Sequence, residues 1–165
     1  MLPQYIQKIN TAKSKKGDIK KLLAFLQSKR PGDLDTVTNR LHDEAFDNID
    51  CLQCANCCKT TGPLLISKDV SRLAQAVKLA PGNFMNTYLK TDEDGDVVFK
   101  QMPCMFLNNN NYCKVYHARP NACRDYPHTQ QNKIIQKLEI TLHNSMICPA
   151  VADVVAGLKK YYMNK

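Results

Sequence analysis

Cys51-Leu52-Gln53-Cys54-Ala55-Asn56-Cys57-Cys58 places four thiols within eight residues. Two residues between successive cysteines is the spacing at which a tight turn aims sulfurs at one metal ion or cluster. Cys104, Cys113, Cys123 and Cys148 follow, so all eight cysteines lie in the last two-thirds of a 165-residue chain that has only four histidines. A donor set this rich in thiolate selects zinc or an iron–sulfur cluster over harder ions. The eight cysteines are therefore the candidate metal ligands. Neighbouring side chains of an extended segment point to opposite faces, so Cys57 and Cys58 are expected to serve differently. They belong either to two nearby sites or to one cluster with a supporting thiolate. A zinc ribbon would instead be written as two Cys-x2-Cys pairs with a spacer between them.

Disulfides are the competing use of so many cysteines, and they suit a secreted chain. Met1 to Lys8, MLPQYIQK, has neither an apolar stretch nor a small-residue cleavage site. No run approaches the ~18 apolar residues of a membrane span. The expected compartment is the cytoplasm, where clustered thiols bind metal.

The formal charge of +8 is concentrated at one end. Residues 1–30 carry eight cations (Lys8, Lys13, Lys15, Lys16, Lys20, Lys21, Lys29 and Arg30) against Asp18 alone, a net +7. Such a segment could bind nucleic acid or an acidic surface. However, Ile19, Leu22, Leu23 and Leu26 recur between the lysines at helical spacing, and no aromatics interleave with the cations to stack bases. A surface helix docking this apolar face, with a solvated basic side, is the expectation.

The first fifty residues read as helical, broken at Gly17-Asp18 and at the Arg30-Pro31-Gly32-Asp33 turn. Leu34, Val37, Leu41, Ala45 and Phe46 continue the stripe. Beyond the cluster, Ser67 is expected to cap a helix carrying Val70, Leu73 and Val77. Asp92 to Asp96 forms an acidic turn without the calcium-loop pattern, leading into a short strand at Val97–Phe99. Asn108 to Asn111 reads as a hairpin tip between Cys104 and Cys113. Ile134 to Leu142 alternates as a strand would, and Pro149 starts a last helix. The expected fold is mainly α with a small β-hairpin element (α+β), a compact single domain built around cysteine-bound metal. Residues 1–50 form its basic helical segment and 51–165 its metal-binding part.

Three stretches carry a family likeness: Cys51-x2-Cys54-x2-Cys57-Cys58, then Pro103-Cys104-Met105-Phe106-Leu107, then Cys113-Lys114-Val115-Tyr116 running on through Arg119-Pro120 to Cys123-Arg124-Asp125-Tyr126-Pro127. Together they resemble the CxxCxxCC zinc- or iron-chelating family, the YkgJ-like cysteine-cluster proteins. Cys148-Pro149 fits as a final element. His128 stands where such proteins commonly have phenylalanine, and the basic N-terminal residues fall outside the likeness. The resemblance implies metal chelation by the cysteines. It also extends to the cysteine domain of the longer flagellin lysine N-methylases, but this chain shows no glycine-rich cofactor loop and no separate methyl-donor domain.

Four thiolates on one divalent ion leave a charge near −2, so positive groups beside them are needed; Arg119 and Arg124 flank Cys123. His42, His117, His128 and His143 are scattered and not required as ligands. No Ser/His/Asp or Cys/His pairing supports nucleophilic catalysis, and no catalytic residue is assigned. The leading expectation is a cytoplasmic protein chelating zinc, or an iron–sulfur cluster, for a structural or redox purpose. The alternatives are a homologue or component of a protein-lysine N-methylase and a zinc-dependent nucleic-acid or protein interaction module.

Overall fold

The computed structural model describes residues 1–163. The chain is mainly α-helical with one two-stranded antiparallel hairpin, the class expected. It divides into two units, Met1–Cys54 with the residues from Pro127 onward, and Ala55–Tyr126. Each has its own hydrophobic core. Among the described residues, no helix is long and apolar enough to cross a membrane.

In the first unit, helices α1 (Pro3–Ser14), α2 (Lys16–Lys29) and α3 (Leu34–Phe46) follow the apolar spacing of the sequence. Pro3 at the start of α1 costs nothing, because the first amides of a helix have no internal acceptor. α1 buries Tyr5, Ile9 and Ala12; α2 buries Ile19, Leu22, Leu23 and Leu26, as its periodicity predicts. α2 stops at Arg30, held left-handed at φ 46 ahead of Pro31, with its amide closing on the Leu26 carbonyl at 2.9 Å. The remaining helices are α4 (Cys51–Cys54), α9 (Leu138–Ser145) and α10 (Pro149–Met163). α10 is the central element, packing on α3, α1, α9 and α2. Gly157 lets it approach closely, since a Cβ there would lie 2.6 Å from Leu41 Cδ2. The hydroxyls of Tyr161 and Tyr162 donate to Asp33, joining the end of α10 to the start of α3.

The segment expected as a strand is helical. Ile134–Lys137 forms a 3-10 turn that runs into α9. Its buried positions are Ile134, Leu138 and Thr141, spaced four and three apart, whereas Ile140 is exposed. The alternation of Leu138, Ile140 and Leu142 was thus the weaker of two overlapping periods. Asp35 fixes the start of the turn, accepting the amides of Lys133 at 2.8 Å and Ile134 at 2.9 Å.

His42 provides a pH handle in this unit. Its Nδ1 lies 2.7 Å from the buried Thr129 hydroxyl, and its ring packs on Phe46. Burial pushes its pKa below the ordinary 6.5, with the Asp43 charge acting the other way. Below pH 6.5 the unfolded chain therefore takes up this proton before the folded one does. The His42 contribution is present above pH 6.5 and is lost as pH falls through the lower folded value. We expect the melting temperature to drop between pH 7.5 and 5, and His42→Asn to shrink that drop. An equal drop in the variant would contradict the assignment.

In the second unit, α6 (Ser67–Ala76) and α7 (Pro81–Tyr88) pack together, and β1 (Leu89–Thr91) pairs with β2 (Val97–Phe99) in the register Leu89↔Phe99. Phe84, Phe99 and Phe106 form an aromatic centre. Ser67 is the first residue of α6 and not its cap; the Asp69 carboxylate instead accepts the Ile66 amide at 3.3 Å. In the acidic turn, Asp92 accepts the amides of Asp94 and Asp96, and Gly95 supplies φ 85.

Candidate metal centre

The cysteine cluster is helical, not extended. Asp50 starts α4 by accepting the Leu52 amide at 2.8 Å. Ala55, left-handed at φ 49, breaks the helix, and α5 (Asn56–Thr60) follows. The inference that Cys57 and Cys58 face opposite sides therefore fails, because helical neighbours are only ~100° apart. Their Sγ atoms stand 4.0 Å apart.

The division of the chain falls inside the cluster, between Cys54 and Ala55. Cys51, Cys54 and Cys148 lie in the first unit; Cys57, Cys58, Cys104, Cys113 and Cys123 lie in the second.

In the second unit, backbone hydrogen bonds assemble the thiols from distant sequence. The Cys104 amide donates to the Cys58 carbonyl at 2.9 Å. Leu107 and Cys113 then form a β-bridge, and the tip expected at Asn108–Asn111 is closed by Asn111 in the left-handed region at φ 65. Asparagine tolerates that conformation better than most residues. Cys123 follows on α8 (Asn121–Asp125), reached through a 3-10 turn at Tyr116–Ala118.

The electrostatics group the same side chains. Burial pushes the Cys123 thiol up to about 12, and the negative charges of Cys58, Cys104 and Cys113 push the same way. Burial also raises Cys104, opposed by the Phe106 amide and reinforced by Cys58 and Cys113. Cys113 is raised by burial and by Cys58. Cys58 is the exception: a hydrogen bond from Cys57, then the charges of Arg119 and Lys59, hold it at about 7 against burial. Arg119 also draws down Cys113 and Cys123. Its guanidinium sits 3.6 Å from the centre of the Tyr116 ring and donates to the Tyr116 carbonyl at 2.9 Å. Arg124 donates to Asn121 at 2.8 Å and is not among the groups shifting these thiols. Of the two arginines, Arg119 is the one whose charge reaches them.

In the first unit, burial pushes Cys148 up to about 12, the amides of Val151 and Ala150 at the start of α10 pull it down, and Cys51 and Cys54 raise it. Cys54 is buried, Cys51 exposed, and the Cys54 Sγ lies 3.7 Å from the Met1 thioether. Nothing in the cysteine spacing points to that thioether contact.

Among the described residues, no disulfide joins two cysteines. Nor do three His, Cys, Asp or Glu side chains already stand at the spacing that holds an ion. The thiols of each group sense one another's charge, yet they must turn further inward to bind. Thiolates around zinc at about 2.3 Å stand roughly 3.8 Å apart, close to the Cys57–Cys58 separation. The donor set fits a soft cation: each group gathers thiols that would repel one another on ionising, and a bound cation would offset the charge of the thiolates.

Asp69 and Arg72 escaped the sequence reading. Asp69 is buried on the apolar face of α6 beside Val70, Leu73 and Ala74, with Arg72 one turn on. An acid inside an apolar stripe, followed three residues later by arginine, is the signal that could have found them.

A family model described as "Putative zinc- or iron-chelating domain", CxxCxxCC, matches residues 50–149 and so takes in all eight cysteines. No curated protein and no solved structure matches the chain.

Proposed function

The chain belongs to the CxxCxxCC family, and from that premise we propose that seven of its eight cysteines chelate metal in two groups while Cys57 supports one of them, with zinc as the ion and a structural role. The observation that supports this reading best is the gathering of Cys58, Cys104, Cys113 and Cys123, drawn from 66 residues of sequence into one electrostatic neighbourhood. Cys51, Cys54 and Cys148 make the second group. Bound zinc supplies a redox-inert cross-link between thiolates. The protein's own residues prepare for it: Cys57 donates to Cys58, Arg119 offsets the accumulating negative charge, and the Cys104 amide ties its loop to α5. An iron–sulfur cluster, which four thiolates also hold, would give a redox role instead.

The test is metal analysis, an absorption spectrum and a thiol count on anaerobically purified protein. We expect bound zinc, no visible band, and far fewer than eight thiols reacting until a chelator is added. A visible cluster band with bound iron would move the assignment to iron–sulfur. Eight reactive thiols without bound metal would overturn the proposal.

A further inference from the structure

The loop that brings Cys123 to its group is gripped from α6. Asp69 is 1% exposed at its side chain. Its Oδ1 accepts from Arg72 Nη2 at 2.5 Å and from the Asn121 amide at 3.1 Å, while its Oδ2 accepts from the Ile66 amide. Arg72 reaches on across the loop. Its Nε donates to the Ala118 carbonyl at 3.2 Å, and its Nη2 to the Arg119 carbonyl at 2.7 Å and the Asn121 Oδ1 at 3.4 Å. One guanidinium and one carboxylate thereby hold the backbone at Ala118, Arg119 and Asn121. α8 has no cap of its own, since Pro120 precedes it and no side chain there caps it; the Asp69 carboxylate takes that place. Cys123 is two residues further on, and Arg119 lies inside the gripped segment.

We propose that Asp69 and Arg72 are the positioning pair of the second unit's thiol group, holding Cys123 and Arg119 where a metal ion can be bound. The inference rests on the reading of Cys58, Cys104, Cys113 and Cys123 as ligands. Neither residue touches the ion; both act through the backbone they hold. A planar fork is needed to bridge two carbonyls and a carboxylate at once, which lysine cannot do.

Co(II) bound to the intact protein is the probe, because its thiolate charge-transfer intensity counts sulfur ligands. Arg72→Met should lower that intensity by as much as Cys123→Ser does, and the double variant should lose no more than either. Release of Co(II) to a chelator should quicken roughly 10- to 100-fold, the usual effect of removing a residue that supports a ligand. Phe84→Leu, a core change in the same unit outside the clasp, should leave both readings at wild-type values. If Arg72→Met does not fold, Asn121→Ala removes one clasp acceptor from an exposed position and should still quicken release. Wild-type intensity and release in the clasp variant, or losses that add to those of Cys123→Ser, would overturn the positioning role alone. A wild-type protein with no thiolate–Co(II) band would instead overturn the ligand assignment and this inference with it.

Discussion

Stripping the metal from the intact protein is expected to unfold residues 55–126 while the helices of the first unit stay protected. The two cores differ in size. Among the described residues, nineteen buried ones make the core of the first unit, against ten in the second. A unit of about 70 residues rarely gains more than roughly 3–5 kcal/mol from its core alone. Structural zinc bound by thiolates contributes an apparent 10–16 kcal/mol, roughly, at neutral pH. The metal contribution therefore exceeds what the ten buried residues supply, and losing it should take the second unit past its midpoint. Without metal, burial and mutual repulsion also keep Cys104, Cys113 and Cys123 protonated. Limited proteolysis read by mass spectrometry is the direct check. New cuts should appear between Ala55 and Tyr126, with α2, α3 and α10 still resistant, and the melting curve should separate into two transitions. A single unchanged transition after verified metal removal, with 55–126 still protected, would contradict this.

The sequence made the helices of the first unit legible because each apolar stripe is long and unambiguous. Ile19, Leu22, Leu23 and Leu26 can only be buried together on a helix. The tip at Asn108–Asn111 was legible because asparagine accepts the left-handed conformation that closes such a turn. Ile134 to Leu142 misled because nine residues supported both periods, and the deciding contact, Asp35 on the Lys133 and Ile134 amides, comes from a hundred residues away. The cluster misled for a local reason. Asp50 caps α4 at Cys51–Cys54, and after left-handed Ala55 the chain turns helical again as α5, so the neighbouring thiols Cys57 and Cys58 approach instead of facing apart. Which thiols share a neighbourhood could not be read from spacing at all. It depends on the Cys104–Cys58 backbone bond and on the α6 clasp, both set by packing.

Replacing single thiols is expected to remove the metal of one group and leave the other. Serine exchanges a soft thiolate for a neutral hydroxyl that zinc binds weakly. The loss of affinity should exceed the roughly 100-fold seen when a mere supporting residue is removed. Cys104→Ser and Cys123→Ser should each deplete the second unit's metal, and combining them should deplete no more. Cys148→Ser should deplete the first unit's metal, and Cys104→Ser with Cys148→Ser should leave none. Stability should follow: variants in the second unit should become protease-sensitive within 55–126, for the reason that governs metal stripping. Cys57→Ala is the informative intermediate. It removes the hydrogen bond that lowers Cys58, so the second unit's metal should bind more weakly yet remain at saturating zinc, whereas Cys58→Ser should abolish it. Element analysis of the purified variants, normalised to protein, reads all of these outcomes. Equal and complete metal loss in Cys104→Ser and Cys148→Ser would show that the eight thiols do not divide in this way.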